Sequence, residues 1–344
     1  MNLSIGQNIK RLRLAASMTQ EQLAQELGLT AQAVSKWENG TTAPDIALLP
    51  ELSVLLGVSI DALFSLSEED RFQRVENMCE NLRFIPQRDF EQTERMLLDS
   101  RNDPATKPRA TLLLARLYNK RADEFHTLAA PLAREALRLD PGNKAAHNAI
   151  FDAENGVYQD WNFTNHHRLI DFYLSVVAEH PEDRRNYYWL LDLLIADGRT
   201  AEAREYVEKL RKVADTYHVE LYMANICRAE CDLPAALDWL ERMKAHAPDA
   251  WQVWEEYADQ MARLCRYDEA LAAYEKARPL RPEKPFIDCE EAMAHVYELQ
   301  GRIDKAIEMQ ETILTMLRDA WSITEGESVD AHKREIARLR EKKA

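Results

Sequence analysis

The sequence predicts an all-α chain, with a bundle of short helices at the N-terminus followed by an array of antiparallel helix pairs, and three observations carry that prediction. Only nine glycines and thirteen prolines stand in 344 residues, about half the usual share of these turn-forming residues; a sandwich, a barrel or a dinucleotide-binding fold needs more of both. Apolar residues recur at spacings of three and four in several segments, the period of one face of an α-helix. A small residue, a turn and an alanine return together about every 34 residues in the second half of the chain. With 46% hydrophobic residues, there is enough apolar mass to bury a core.

From the N-terminus, Ile5, Ile9, Leu12 and Ala16 share one face of a first helix. Thr19 is placed to cap a second helix, Gln20 to Leu27, with Leu23, Ala24 and Leu27 as its apolar stripe. Thr30 caps a third, Ala31 to Glu38, with Val34 and Trp37 pointing inward. Gly28, Gly40 and Gly57 each follow an apolar-periodic run, where helices stop in a left-handed residue. Two short helices joined at Gly28-Leu29, with small Ala24 where they approach, make a helix-turn-helix pattern. Pro50 sits badly inside a helix running from Asp45 and fits one that begins near it.

The stretch IKRLRLAASMTQEQLAQELGLTAQAVSKWENGTTAPDIALLPELSVLLGVSIDALF resembles the Cro/repressor (XRE) family of bacterial and phage DNA-binding domains. The caps, the turn, SKWENG and the closing LGVSIDALF occur in order at that family's spacing. The resemblance implies five helices within residues 1–66, a double-stranded DNA operator as partner, and Ala31 to Glu38 as the recognition helix in the major groove. It places Thr30, Ala31, Gln32, Ser35 and Lys36 at groove-facing positions, and Gln20 and Asn39 where phosphates are held. It also pairs Arg13 with Glu38 in a salt bridge that ties the first helix to the recognition helix. The side-chain chemistry agrees: Gln32 suits adenine N6 and N7, Lys36 suits guanine O6 and N7, and Ala31 suits a thymine methyl. Residues 1–66 hold four basic and six acidic side chains. One copy should therefore bind weakly and with a shallow salt dependence, so a homodimer is expected. Hydroxyls and backbone N–H groups of Thr41 and Thr42 are expected to supplement the few cations.

Residues 67–108 read as connecting helices. Ser67 caps an acidic first turn, Phe72, Val75, Cys79 and Leu82 follow at helical spacing, and a second helix runs from about Phe90 to Ser100 before a loop. Beyond them, Ala203, Ala236, Ala270 and Ala306 lie 33, 34 and 36 residues apart, each five positions after Gly198, Cys231, Cys265 or Gly301. Pro248 and Pro282 are also 34 apart. This resembles the tetratricopeptide (TPR) repeat, and the best copy, Trp251 to Lys284, holds Trp254, Tyr267, Ala270, Tyr274, Ala277 and Pro282 at signature positions. The resemblance implies a right-handed superhelix of antiparallel helix pairs, clear over 184–320 and divergent over 109–183, with two units near 110–142 and 143–181. It also implies a concave face that binds a peptide or protein ligand. The groove positions are Tyr188, Asp192, Leu221, Asn225, Arg228, Glu255, Asp259 and Arg263, with Asn225 suited to both the N–H and the C=O of an extended backbone. The carboxylates among them suit a peptide with a basic residue. Residues 321–344 read as a basic C-terminal helix or tail.

A formal net charge of −15 excludes nonspecific coating of nucleic acid or an anionic membrane. The N-terminus lacks an apolar signal segment, and the most apolar run, Tyr187 to Ala196, is too short to span a bilayer, so the chain reads as cytoplasmic. Five cysteines form no framework; Cys227 and Cys231 share a helical face but read as packing residues, and no metal or other cofactor is expected. No phosphate loop, HExxH pair or nucleophile elbow occurs, so an enzyme is not expected. The order of domains resembles that of peptide-sensing regulators of Gram-positive bacteria. The reading is a sequence-specific transcriptional regulator whose array binds a ligand that modulates DNA binding. The alternative is a TPR interaction scaffold with a targeting or degenerate helix-turn-helix domain.

Overall fold

The computed structural model describes residues 5–64, 68–158 and 160–343, all-α with tetratricopeptide-type helix pairs in its second half; the expected cap at Ser67 lies outside them. The chain divides into two units, residues 1–125 and 126–344, with the dividing line inside one long helix.

The first unit opens with α1 (Ile5–Ala15), α2 (Gln20–Glu26), α3 (Ala31–Glu38), α4 (Leu49–Leu55) and α5 (Ile60–Phe64). Thr19 accepts from the N–H of Gln22, whose side chain bonds back to the Thr19 N–H, a full capping box. Thr30 accepts from the Ala33 N–H to start α3. Gly28, at φ +66°, makes the turn between the two helices, and the Leu29 N–H returns to the Ala24 carbonyl at 2.8 Å. Asp45 caps a short 3-10 turn, and Pro50 falls in the first turn of α4, where its missing N–H costs nothing. Ile9, Leu23, Val34, Leu52 and Leu63 form the buried centre with Trp37. Ala16 departs from expectation: it is exposed and lies past the end of α1, and the inward position one turn beyond Ile9 is Arg13 instead. A Cβ on Gly6 would stand 1.6 Å from the Trp37 carbonyl oxygen, so α1 crosses α3 at a distance only glycine allows.

Then follow α6 (Glu68–Asn81), α7 (Gln87–Ser100) and α8 (Lys107–Leu139). Phe72, Val75, Ile85 and Leu97 pack against Ala110, Leu113 and Leu117 of α8. Leu82 is exposed and lies beyond α6, which ends earlier than its apolar spacing suggested. The helix pair expected over 110–142 is replaced by the single 33-residue α8. Glycine is absent between its ends and Ala, Leu and Arg predominate, and the helix continues through Pro131 despite the lost ladder bond and the ring's crowding of the preceding turn.

In the second unit α9 (Lys144–Ala153), α10 (Trp161–Thr164) and α11 (His167–Glu179) precede four regular pairs. These are α12 (Arg184–Ala196) with α13 (Thr200–Val213), α14 (His218–Ala229) with α15 (Leu233–His246), α16 (Trp251–Arg263) with α17 (Tyr267–Ala277), and α18 (Asp288–Leu299) with α19 (Ile303–Asp319). Each pair turns through a left-handed residue, Gly198, Cys231, Cys265 or Gly301, at φ between +57° and +73°. The next N–H bonds the carbonyl five residues back, as in Arg199 to Leu194 and Asp232 to Cys227, both 2.8 Å. Ala203, Ala236, Ala270 and Ala306 are buried, so partner helices close over a methyl group. Cys231 is exposed in its turn and only Cys227 is a packing residue, which corrects the joint expectation for the two. A last helix, α20 (Glu327–Lys343), lays Val329, Ile336 and Leu339 on α19. Its cations pair within the array: Arg338 and Lys342 reach Glu298 at 2.6 and 2.7 Å, and Arg340 reaches Glu311 at 3.1 Å.

Candidate functional site

In the first unit, the C-terminal end of α3 is locked from behind. Arg13 Nε and Nη2 donate to Glu38 Oε1 and Oε2 at 2.6 and 3.0 Å, and Nη1 donates to the Met18 carbonyl at 2.6 Å. Gln20 Nε2 donates to Glu38 Oε2 at 2.8 Å. Burial opposes the charge on Glu38, yet the bonds from Arg13 and Gln20 prevail and hold its carboxyl below the ordinary value of 4.5. The bond to Glu38 in turn raises Arg13. A buried pair with its donors used in this way fixes the angle between α1 and α3. Gln20, expected at a phosphate, therefore has amide hydrogen bonding committed inside the domain.

The outer side of α3 is open. Thr30, Gln32, Lys36 and Asn39 are exposed, and Ala31 and Ser35 are half-buried between them. Asn39 Nδ2 lies 3.3 Å from Ser35 Oγ. The backbone N–H groups of Thr41 and Thr42 both return to the Lys36 carbonyl, at 2.8 and 3.3 Å. They close the end of α3 and are not free for phosphate as expected; only the two hydroxyls remain. Lys10, Arg11 and Lys36 are exposed while Arg13 is buried, which leaves three cations in this domain for phosphates.

In the second unit, a cavity of about 390 Å³ is walled by α12, α14 and α16. Tyr188, Asp192, Leu221, Asn225, Arg228 and Arg263 line it, joined by His218, Tyr222, Glu256 and Gln260, which the sequence reading missed. Glu255 and Asp259, expected in the groove, are not among the residues that line this cavity. Glu255 accepts from Cys289 Sγ at 3.3 Å, and Asp259 accepts from the Tyr274 hydroxyl, so both are occupied by α18 and α17. One residue along α16 is a rotation of about 100°, and that step exchanges Glu255 and Asp259 for Glu256 and Gln260. The repeat itself held the missing signal: steps of 34 residues from Tyr188 land on Tyr222 and then Glu256.

Aromatic stacking stiffens this wall. The His218 ring lies 4.1 Å from Tyr188 and 4.2 Å from Tyr217, and the Tyr222 hydroxyl donates to the Tyr188 carbonyl at 3.1 Å. Burial, helped by the charge of Arg184, pushes His218 down to about 4 and keeps it neutral. Burial, together with Asp259, Glu255 and Asp192, pushes Glu256 up to about 7. Burial and the neighbouring Arg263 lower Arg228. Three atoms shielded from solvent, Tyr188 Oη, Asn225 Oδ1 and Arg228 Nε, have no hydrogen-bond partner in the chain. Among the described residues no cluster of three or more His, Cys, Asp or Glu is arranged to hold a metal, and no helix is long and apolar enough to cross a membrane.

The helix-turn-helix family model HTH_3 matches residues 9–63. The HTH-type transcriptional activator BcrR of Enterococcus faecalis is 35% identical over 75 residues, 22% of this chain and 37% of BcrR. The chain thus spans about a third of that relative's length. The uncharacterized HTH-type transcriptional regulator y4dJ of Sinorhizobium fredii is 35% identical over 72 residues, 21% of this chain and 94% of its own. A solved structure, PlcR of Bacillus thuringiensis in complex with the peptide PapR7 and DNA, aligns with 87% of this chain and 98% of that one, at 10% identity and a TM-score of 0.26.

Proposed function

Because the chain belongs, through its N-terminal domain, to the helix-turn-helix family of transcriptional regulators, we propose that it binds a specific DNA operator as a homodimer and that its repeat array takes a peptide or protein ligand that modulates this binding. In this reading residues 1–66 read DNA, 67–108 connect, the regular pairs of 184–320 form the array behind the irregular helices of 109–183, and 321–344 cap it. The observation that carries the proposal is the open face of α3, where Gln32 and Lys36 stand exposed on a helix braced by the buried Arg13–Glu38 pair. Gln32 offers a paired donor and acceptor to adenine, and Lys36 offers donors to guanine. Thr30, Ala31 and Ser35 complete the groove-facing surface, and Gln20, Asn39 and the Thr41 and Thr42 hydroxyls border it. With three open cations per copy, each contributing about 0.9 to the salt slope, a monomer is a weak binder and two-fold pairing supplies the affinity.

The unpartnered atoms of the array cavity favour a ligand there, since a buried polar group left unbonded costs about 1–3 kcal/mol that a bound peptide would recover. Such a ligand acts on DNA binding only by preferring one arrangement of the protein over another. Rounds of selection from random duplexes with the full-length protein test the DNA-binding half. The expected product is a two-fold-symmetric sequence with half-sites about one helical turn apart; a pool that remains random overturns the proposal.

A further inference from the structure

We propose that the array's ligand enters the cavity by a free C-terminal carboxylate, held between Arg228 and Arg263 with its terminal amide N–H on Asn225 Oδ1. This rests on the reading of the array as a peptide-binding groove and names the group that groove recognises.

Several arginines elsewhere in this unit are neutralised. Arg204 pairs with Glu230, Arg266 with Glu269 and Arg281 with Glu290, all at 2.5 to 2.7 Å. Among the described residues, Arg228 and Arg263 are within 4.0 Å of no carboxylate, although Asp192 and Glu256 stand on the same wall. The Arg228 Nε hydrogen is shielded from solvent and unused. Two guanidinium groups at one cavity, one with an idle buried donor, ask for an anion that the chain does not supply.

Asn225 narrows the choice of anion. Its Oδ1 is also buried and unpartnered and can only accept, so it requires a donor on the ligand. Asn225 and Arg228 are three apart on α14, neighbours on one helix face at about 5–6 Å between Cβ atoms. The last residue of a peptide carries its N–H and its carboxylate on the same Cα, a spacing this pair can span. A fully ionised phosphate monoester satisfies the arginines and offers Asn225 no donor. Asp192 and Glu256 repel a polyanion and fit a ligand with a single negative end. The Tyr188 hydroxyl, unpartnered on the facing helix, is free for the next peptide group. A cavity of about 390 Å³ is of small-ligand size and admits the end of a chain rather than the surface of a folded partner.

The full-length protein is equilibrated by dialysis against two pools of random heptapeptides built without Asp and Glu, one with free C-termini and one C-terminally amidated. Loss of two charge-assisted bonds predicts that the free-acid pool is retained at least tenfold better. Arg228→Gln with Arg263→Gln should abolish that preference with helicity unchanged. If the double variant loses helicity, Arg263→Gln alone, at an exposed position, carries the comparison. Equal retention of both pools overturns the carboxylate assignment and leaves the peptide groove standing. Retention of neither overturns the peptide-groove reading together with this inference. If an amidated pool is retained as well as the free acid once Asp and Glu are included, a side-chain carboxylate is the recognised group and the C-terminal assignment falls.

Discussion

The DNA-reading domain and the array groove treat buried polar groups in opposite ways. In the first, Arg13, Gln20 and Glu38 are bonded to one another, and the N–H groups of Thr41 and Thr42 are spent on the end of α3. In the second, Tyr188, Asn225 and Arg228 each keep a shielded atom without a partner. The first arrangement is complete within the chain, so the end of α3 is tied to α1 and α2 without any partner. The second leaves three polar atoms that, in the proposed function, a ligand would complete. The difference teaches where each domain's stability and function coincide: polar pairing stabilises the reader, whereas the groove holds its polar atoms at a cost to its own stability.

That contrast can be broken most severely at Glu38. Glu38→Ala leaves a buried guanidinium unpaired and should cost about 3–5 kcal/mol, read as loss of amide-exchange protection in α1 to α3 of the full-length protein. A smaller loss means that Arg13 finds another partner and the pair is not the brace described. Gln32→Ala removes an exposed side chain of the same helix. It should leave protection unchanged while reducing discrimination at one base pair by about 1–3 kcal/mol, measured against the selected operator and its single-base variants; unchanged discrimination removes Gln32 from the reading surface.

Protonation separates the two regions by sign. Glu38 is held below 4.5, so the stability it contributes is present above that value and is lost as pH falls through its folded pKa. Glu256 is raised from 4.5 to about 7. Between those values the unfolded chain has released this proton and the folded chain has not, so its contribution declines as pH rises over that window. His218, held down to about 4, contributes with the opposite sign below its ordinary 6.5, so the readout is a difference: from pH 5 to pH 7, protection in α14 to α17 should decline more, or rise less, in the wild type than in Glu256→Gln, while α1 to α3 behave alike in both; parallel profiles contradict the assignment. The smallest effect is the most diagnostic. Asn225→Leu replaces an unpartnered amide with an apolar group, so the unliganded protein should be unchanged or about 1 kcal/mol more stable in chemical denaturation, yet bind the free-acid peptide pool less. A clear destabilisation would mean that the amide already has a partner.

What was legible in the sequence follows from how locally each feature is encoded. Caps at Thr19 and Thr30, the turn at Gly28 and the recurring alanines depend on a few neighbouring residues, and the structure has them where the spacing put them. The contact of Gly6 with the Trp37 backbone joins segments distant in the chain, and no local pattern announces it. The left-handed role of Cys231 and Cys265 was visible only through their alignment with Gly198 and Gly301. At the cavity, the expected positions on α12 and α14 line the wall, whereas on α16 a one-residue difference in register separates Glu255 and Asp259 from the lining residues Glu256 and Gln260. The unpartnered atoms were beyond reach, because pairing depends on side-chain positions across three helices. The unbroken α8 has a related cause: between its ends the segment holds no glycine, and its one interior proline, Pro131, does not end the helix.

The central claim is that array and reader are coupled, and a ligand that couples two sites must shift both affinities by the same factor. The most direct measurement titrates the selected operator with full-length protein, alone and with saturating free-acid peptide taken from the pool the groove retains. The account predicts that the peptide changes operator affinity by about 5–150-fold and that Arg228→Gln with Arg263→Gln removes the change while leaving affinity without peptide intact. Superimposable titrations with and without bound peptide would contradict it.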